Sequence, residues 1–221
     1  MKLTKQNILP QSLAVGLVFQ MVLLMISAIG FSSLHFPTPA RILAITMGAM
    51  VFVTLAAFVT IRINGAKTYM RPTRFVVDIV ILGVLVLAAV AATIAFKGGS
   101  NARVLAVLLV TFVQPLYEGV VYRGLMWHKT QKVLNNKWLT WLMHIVVVTA
   151  CSMPYIYNIY VLLLEMGHSL ADPANIALAL AVYGVATNAV VGAVRAGVHN
   201  FTIPMLVHSL LNVALMWFVI L

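Results

Sequence analysis

Acidic residues are scarce in this 221-residue chain: four Asp and Glu stand against fourteen Lys and Arg, and all charged residues together make up 8%. A soluble domain of this length needs a far more charged surface, so a water-exposed globule is excluded. Cysteine is scarcer still. Cys151 is the single one, which excludes an intrachain disulfide and a cysteine metal cluster; within an apolar segment it reads as a small buried hydrophobe. No nucleotide loop, cofactor box, tandem repeat or low-complexity tract is found.

What the chain does have is apolar side chains. They amount to 63% of residues, with a mean hydropathy of +1.05. This composition points to an all-α, polytopic transmembrane helical bundle whose solvent is the lipid bilayer. Seven apolar runs approach the ~20 residues a helix needs to cross a bilayer. They are approximately 12–34, 42–61, 75–96, 104–127, 138–153, 175–194 and 203–221. The first is too long for a secretory signal core and shows no cleavage site, so it is expected to remain as a span. Pro154 to Leu164 either prolongs the fifth span past a proline or forms a short eighth, re-entrant piece. Loop signals separate the runs at Phe36-Pro37-Thr38-Pro39, Lys97-Gly98-Gly99-Ser100-Asn101, Asn135-Asn136-Lys137 and Asp172-Pro173. The chain is read as one integral membrane domain, with a three-span segment at 1–103 and a core bearing the candidate site at 104–221.

The net charge of +10 would raise nucleic acid as a partner in a soluble protein. Here the basic residues flank apolar runs, so they report orientation and no nucleic-acid partner is expected. With the N-terminus in the cytoplasm, Lys2, Lys5, Arg62, Lys67, Arg71, Arg74, Lys129, Lys132, Lys137 and Arg195 lie inside. Arg41, Lys97 and Arg103 lie outside. Ten against three favours this orientation. Glu165, His168 and Asp172 then sit in a solvated outer loop, and Asp78 near the inner interface beside Arg74.

Glu118 is the acid placed deep in a candidate span, and a charge in hydrocarbon is rare unless it faces a partner or a polar cavity. At ~1.5 Å rise per residue, Glu118 lies roughly 14 Å from the cytoplasmic end of its span. His144, Asn188 and His208 lie roughly 8–10 Å inside theirs. Asn212 follows His208 by one helical turn and shares its face. A carboxylate and an imidazole at one level can activate water, and an imidazole with an amide can hold an oxyanion. Simpler readings compete. Glu118 could pair with Arg123, about one and a half turns away, and only hold a helix end together. His144 could serve helix packing, His208 with Asn212 could be a structural hydrogen-bond pair, and Gly184, Asn188 and Gly192 could form a small-residue packing face.

The stretch Glu118-Gly119-Val120-Val121-Tyr122-Arg123-Gly124 resembles the first motif, Glu-Glu-x-x-x-Arg, of the CAAX-prenyl-protease and bacteriocin-processing family (CPBP, also called Abi). Pro204-Met205-Leu206-Val207-His208-Ser209-Leu210-Leu211-Asn212 resembles its last motif, a helix carrying His-x-x-x-Asn. The resemblance covers about the C-terminal half. It implies a helical intramembrane endopeptidase, a peptide hydrolase of the CAAX type, in a multi-pass protein of a bacterial plasma membrane. On this resemblance Glu118 would help activate water, His208 and Asn212 would hold the oxyanion, and Arg123 would be structural. Two positions depart from the pattern. Gly119 stands in place of the second glutamate, and the middle-motif histidine, expected near Cys151 to Tyr155, is missing; His144 is a candidate displaced substitute.

Three functions therefore compete: an endopeptidase acting on a membrane-associated peptide or protein, a non-catalytic relative serving bacteriocin self-immunity or peptide binding, and a small transporter using Glu118 as a cation site. No cofactor is established. Zinc held by Glu118, His144 and His208 is chemically conceivable, although no closely spaced ligand motif supports it.

Overall fold

The computed structural model describes residues 8–32, 38–63, 76–97, 99–165, 173–198 and 200–217. Lys2, Lys5, Lys67, Arg71, Arg74, His168 and Asp172 lie outside the described residues, as do the side chains of Arg62, Asp78, Lys97 and Glu165.

The described chain is all-helical. Helix α1 spans Ile8–Ser32, α2 Pro39–Ile63 and α3 Val76–Lys97. A single long helix, here helix 4, then runs over Asn101–Leu134. It divides into α4 (Asn101–Leu108), a π-helical turn (Leu109–Val113), α5 (Gln114–Glu118), a second π-helical stretch (Gly119–Met126) and α6 (Trp127–Leu134). Helices α7 (Lys137–Glu165), α8 (Pro173–Gly197) and α9 (Thr202–Leu215) follow. Among the described residues, Pro39–Thr60, Ile79–Phe96 and Asn101–Leu134 are long and apolar enough to cross a membrane by length and composition; Gly16–Ser27, Lys137–Cys151 and Thr202–Leu215 form shorter apolar helices.

The turns obey local chemistry. Ser100 caps α4, its Oγ accepting from the Arg103 amide at 3.3 Å, which satisfies one of the orphan donors of a helix start. Between α6 and α7, Asn135 takes a left-handed conformation with φ 51°, a conformation Asn tolerates better than most residues. Asn136 then caps α7, its Oδ1 accepting from the amides of Trp138 and Leu139 at 3.0 and 3.1 Å. Leu134 and Lys137 are thereby joined by two residues. Helix α7 continues through Pro154 to Glu165, so the segment from Pro154 to Leu164 prolongs the fifth helix and forms no separate re-entrant piece.

Helix 4 occupies the centre. Every residue from Tyr117 to Trp127 is buried, and Trp127, Arg123 and Tyr122 are among the largest fully enclosed side chains. Around it α7 packs along α8, α3 along α9, and α1 against both α2 and α7. The outer faces of these helices carry exposed apolar residues, among them Phe52, Leu55, Leu87, Leu142 and Leu178. Such a surface suits lipid, and the polar groups are gathered inside it.

The small-residue face expected on α8 is only half realised. At Gly192 a Cβ would come 2.7 Å from Trp141 Cδ1, whereas at Gly184 it would meet nothing within 4 Å. Close backbone approach therefore occurs at one end of the Gly184–Gly192 stripe. A second such approach lies at Gly16, where a Cβ would come 2.7 Å from Cys151 Sγ, seating α1 against α7.

Candidate active site inside the helical bundle

The site is built on the distortion of helix 4. Pro115 lies in its middle and supplies no amide hydrogen. The Gln114 amide reaches back to the Leu109 carbonyl, five residues earlier, which is the π pattern. A second π-helical stretch begins directly after Glu118. The wider π turn brings residues five apart towards one face, which an α-helix does not do.

Arg123 thereby reaches Glu118. Its Nη2 donates to Glu118 Oε2 at 3.2 Å and to Asn188 Oδ1 of α8 at 3.1 Å. Its Nη1 lies 3.1 Å from His208 Nδ1 of α9. A guanidinium only donates, so His208 Nδ1 is the acceptor and the neutral ring carries its proton on Nε2. The 3.7 Å approach of His208 Nδ1 to Glu118 Oε2 is then no ion pair. Gln114 Nε2 donates to the other carboxylate oxygen, Oε1, at 3.0 Å. Asn188 Nδ2 lies within 3.4 Å of Thr149 Oγ1 on α7. Helices 4, α7, α8 and α9 thus meet in one buried polar network, in which Glu118 is 4% exposed, His208 3% and Arg123 0%. A buried carboxylate and guanidinium tolerate such enclosure only when paired and hydrogen-bonded.

Asn212 lies beside this network, turned towards the backbone of helix 4. Its Nδ2 donates to the Val110 carbonyl at 2.7 Å, and its Oδ1 accepts from Tyr183 Oη of α8 at 3.0 Å. At the other end of the distortion, Arg195 Nε donates to the Arg123 carbonyl at 3.1 Å and Nη1 to the Val198 carbonyl at 2.8 Å. The Arg195 guanidinium also sits 5.4 Å over the Trp127 ring. Counted from sequence among the inner basic residues that set orientation, Arg195 is 4% exposed. It is an internal tie between α8 and helix 4.

His144, the candidate displaced substitute, makes its contacts outside this network. Its ring packs edge-on against Trp127 at a centroid distance of 5.2 Å, and its buried Nε2 has no hydrogen-bond partner among the described residues. It makes no hydrogen bond to Glu118 or His208. The three-ligand zinc set of Glu118, His144 and His208 is accordingly not assembled, and no group of three or more His, Cys, Asp or Glu able to hold a metal occurs among the described residues. Gly119 faces α9, where a Cβ would come 3.4 Å from Met205 Cβ and Cγ. Cys151 is fully buried.

Helical rise alone brings Glu118, His208 and Asn188 to one depth, but it does not single out Gln114, Tyr183 and Arg195 as members. Gln114 was findable, since it precedes Glu118 by one helical turn. Tyr183 and Arg195 carry no spacing signal that ties them to another helix.

An all-helical protein with membrane-length apolar helices and an enclosed acid, guanidinium and imidazole defines the class: a membrane protein with its chemistry inside the bundle. The chain belongs to the type II CAAX prenyl endopeptidase Rce1-like family, whose model matches residues 99–214. This is the family implied by the motifs at Glu118 and His208, and the matched stretch covers just over half of the chain. No curated protein and no solved structure matches it.

Proposed function

We propose that this chain is an intramembrane endopeptidase that hydrolyses a peptide bond in a membrane-associated, CAAX-type substrate. The observation that carries the reading is the convergence of buried Glu118, Arg123 and His208 at 3.1–3.2 Å inside a family of prenyl-CAAX endopeptidases. A carboxylate has about four lone-pair positions. Gln114 and Arg123 each occupy one, which leaves room for Glu118 to accept from a water. In the proposed step the water oxygen bonds to the scissile carbonyl carbon while its proton passes to Glu118. His208 Nε2–H and the Arg123 charge stabilise the oxyanion. The proton on Glu118 then goes to the amide nitrogen as the C–N bond breaks. Electrostatic stabilisation of this kind is commonly the largest single contribution to such catalysis.

The same reading places the protein in the plasma membrane of a bacterium, crossing it seven times with the N-terminus inside. Removing Arg195 from the count of loop charges leaves nine inner basic residues against three outer ones, so the orientation argument survives.

The test is cleavage of a prenylated CAAX peptide by the full chain reconstituted in lipid. Glu118→Gln should abolish product formation while leaving the protein folded; full activity in that variant sinks the proposal.

A second reading has its own observation. Both Glu118 oxygens are engaged by protein groups, and among the described residues His144 packs against Trp127 and makes no hydrogen bond to Glu118. A non-catalytic relative conferring immunity to a peptide toxin fits these contacts. Under that reading Glu118→Ala and His208→Ala leave protection against the toxin intact; loss of protection at normal expression argues against it.

A further inference from the structure

We infer that Tyr183 and Asn212 form a positioning relay for Glu118, and that Asn212 acts through the backbone of helix 4. Three observations carry this. First, the Gln114 amide bonds to the Leu109 carbonyl, so the register here is that of a π turn. In that register the Val110 carbonyl faces residue 115, and Pro115 has no hydrogen to give it. The helix cannot satisfy its own carbonyl, and a buried carbonyl without a donor is costly.

Second, Asn212 Nδ2 supplies the missing donor at 2.7 Å. A carbonyl only accepts, which fixes the amide with Nδ2 towards Val110 and Oδ1 towards Tyr183. Tyr183 Oη donates to that Oδ1 at 3.0 Å and so holds the amide in the orientation helix 4 requires. Third, Gln114, the residue whose amide sets the π register, also donates its side-chain Nε2 to Glu118 Oε1 at 3.0 Å. The relay therefore runs from α8 through α9 into the distorted turn, and from the turn through Gln114 to the carboxylate.

Pro115 makes Asn212 necessary, and that dependence is measurable. In a double-mutant cycle on the full chain in detergent, Asn212→Ala should lower the thermal midpoint in the wild-type background. It should lower it by less than half as much with Pro115→Ala, because that substitution returns an amide hydrogen to the helix. An equal loss in both backgrounds overturns the relay. Should Pro115→Ala fail to fold, a second cycle decides: Tyr183→Phe should lower the midpoint more with Asn212 present than in Asn212→Ala, where the hydroxyl keeps only its hydrogen bond to Thr187, whereas equal losses in both backgrounds overturn it.

The catalytic half of the inference rests on the endopeptidase reading; the two stability cycles do not, and they hold for a chain that cleaves nothing. For an active chain, Pro115→Ala should restore cleavage to Asn212→Ala by roughly tenfold. No restoration, with the stability cycle positive, marks Asn212 as an oxyanion donor and overturns that half. Tyr183→Phe should lower kcat with KM unchanged; a raised KM at constant kcat opposes positioning.

Discussion

Arg123 and Glu118, five residues apart in sequence, face each other across a π-helical stretch, with Arg123 Nη2 3.2 Å from Glu118 Oε2. In an α-helix those two side chains diverge. The distortion therefore converts two neighbouring charges into a buried pair, and the guanidinium so placed also reaches α8 through Asn188 and α9 through His208.

Arg123 is accordingly the most demanding position to replace. Arg123→Leu strands the Glu118 carboxylate in an enclosed site, and breaking a buried pair from one side costs about 3–5 kcal/mol. Arg123→Lys is expected to be nearly as damaging, because a lysine ammonium cannot span Glu118, Asn188 and His208 in the fixed fork of a guanidinium. Thermal unfolding in detergent checks both; a lysine variant as stable as wild type refutes the fork argument.

Arg195 gives a prediction that separates packing from topology. Arg195→Ala removes donors from the Arg123 and Val198 carbonyls and a cation from the Trp127 face. Loss of one charged donor alone costs about 1.5–3 kcal/mol. A fall in the unfolding midpoint with unchanged membrane orientation is expected, orientation being read from cysteine labelling at the two ends of the chain. Inverted labelling with no change in stability would return Arg195 to the role of an orienting loop charge.

Much of the architecture was legible because hydrophobic runs of membrane length admit few structures. Each of the seven apolar runs coincides with helix among the described residues, and the Asn135–Asn136 junction falls where its residue types indicated. Glu118 and His208 were legible because polar groups stand out against an apolar background. The Glu118–Arg123 pairing was legible too, and the structure forms it; the π-helical stretch that closes it was not, because a 3.6-residue period was applied. The cue was Pro115 itself, which removes an amide from the interior of a long helix. The burial of Arg195 was not legible, because a charge near the end of an apolar run has the same local sequence whether it faces water or a backbone carbonyl.

The two ends of the α8 glycine stripe should respond oppositely to alanine. At Gly192 the new Cβ would lie 2.7 Å from Trp141 Cδ1 and 3.1 Å from Nε1. The indole cannot swing aside without losing its 2.8 Å hydrogen bond to the Ala189 carbonyl. Overpacking of this kind costs about 1–3 kcal/mol. At Gly184 nothing stands within 4 Å, and alanine is favoured over glycine in a helix by about 1 kcal/mol. Gly192→Ala should lower the unfolding midpoint and Gly184→Ala leave it equal or raised; a matching fall in both would show that close approach is not confined to Trp141.

His144 provides the sharpest separation of packing from chemistry. The ring is buried, its edge contact with Trp127 is worth about 0.5–1.5 kcal/mol, and its unpartnered Nε2 costs about 1–3 kcal/mol. These contributions oppose each other, and the second is at least as large. His144→Leu should therefore leave stability within about 1 kcal/mol of wild type or improve it. The same variant should retain cleavage of the prenylated peptide, because no hydrogen bond links His144 to Glu118 or His208. His208→Leu, by contrast, removes the acceptor of Arg123 Nη1 and should lose both stability and cleavage. A stable His144→Leu protein that cleaves nothing, beside an active wild type, would mean that the ring leaves Trp127 during turnover and supplies the histidine missing near Cys151.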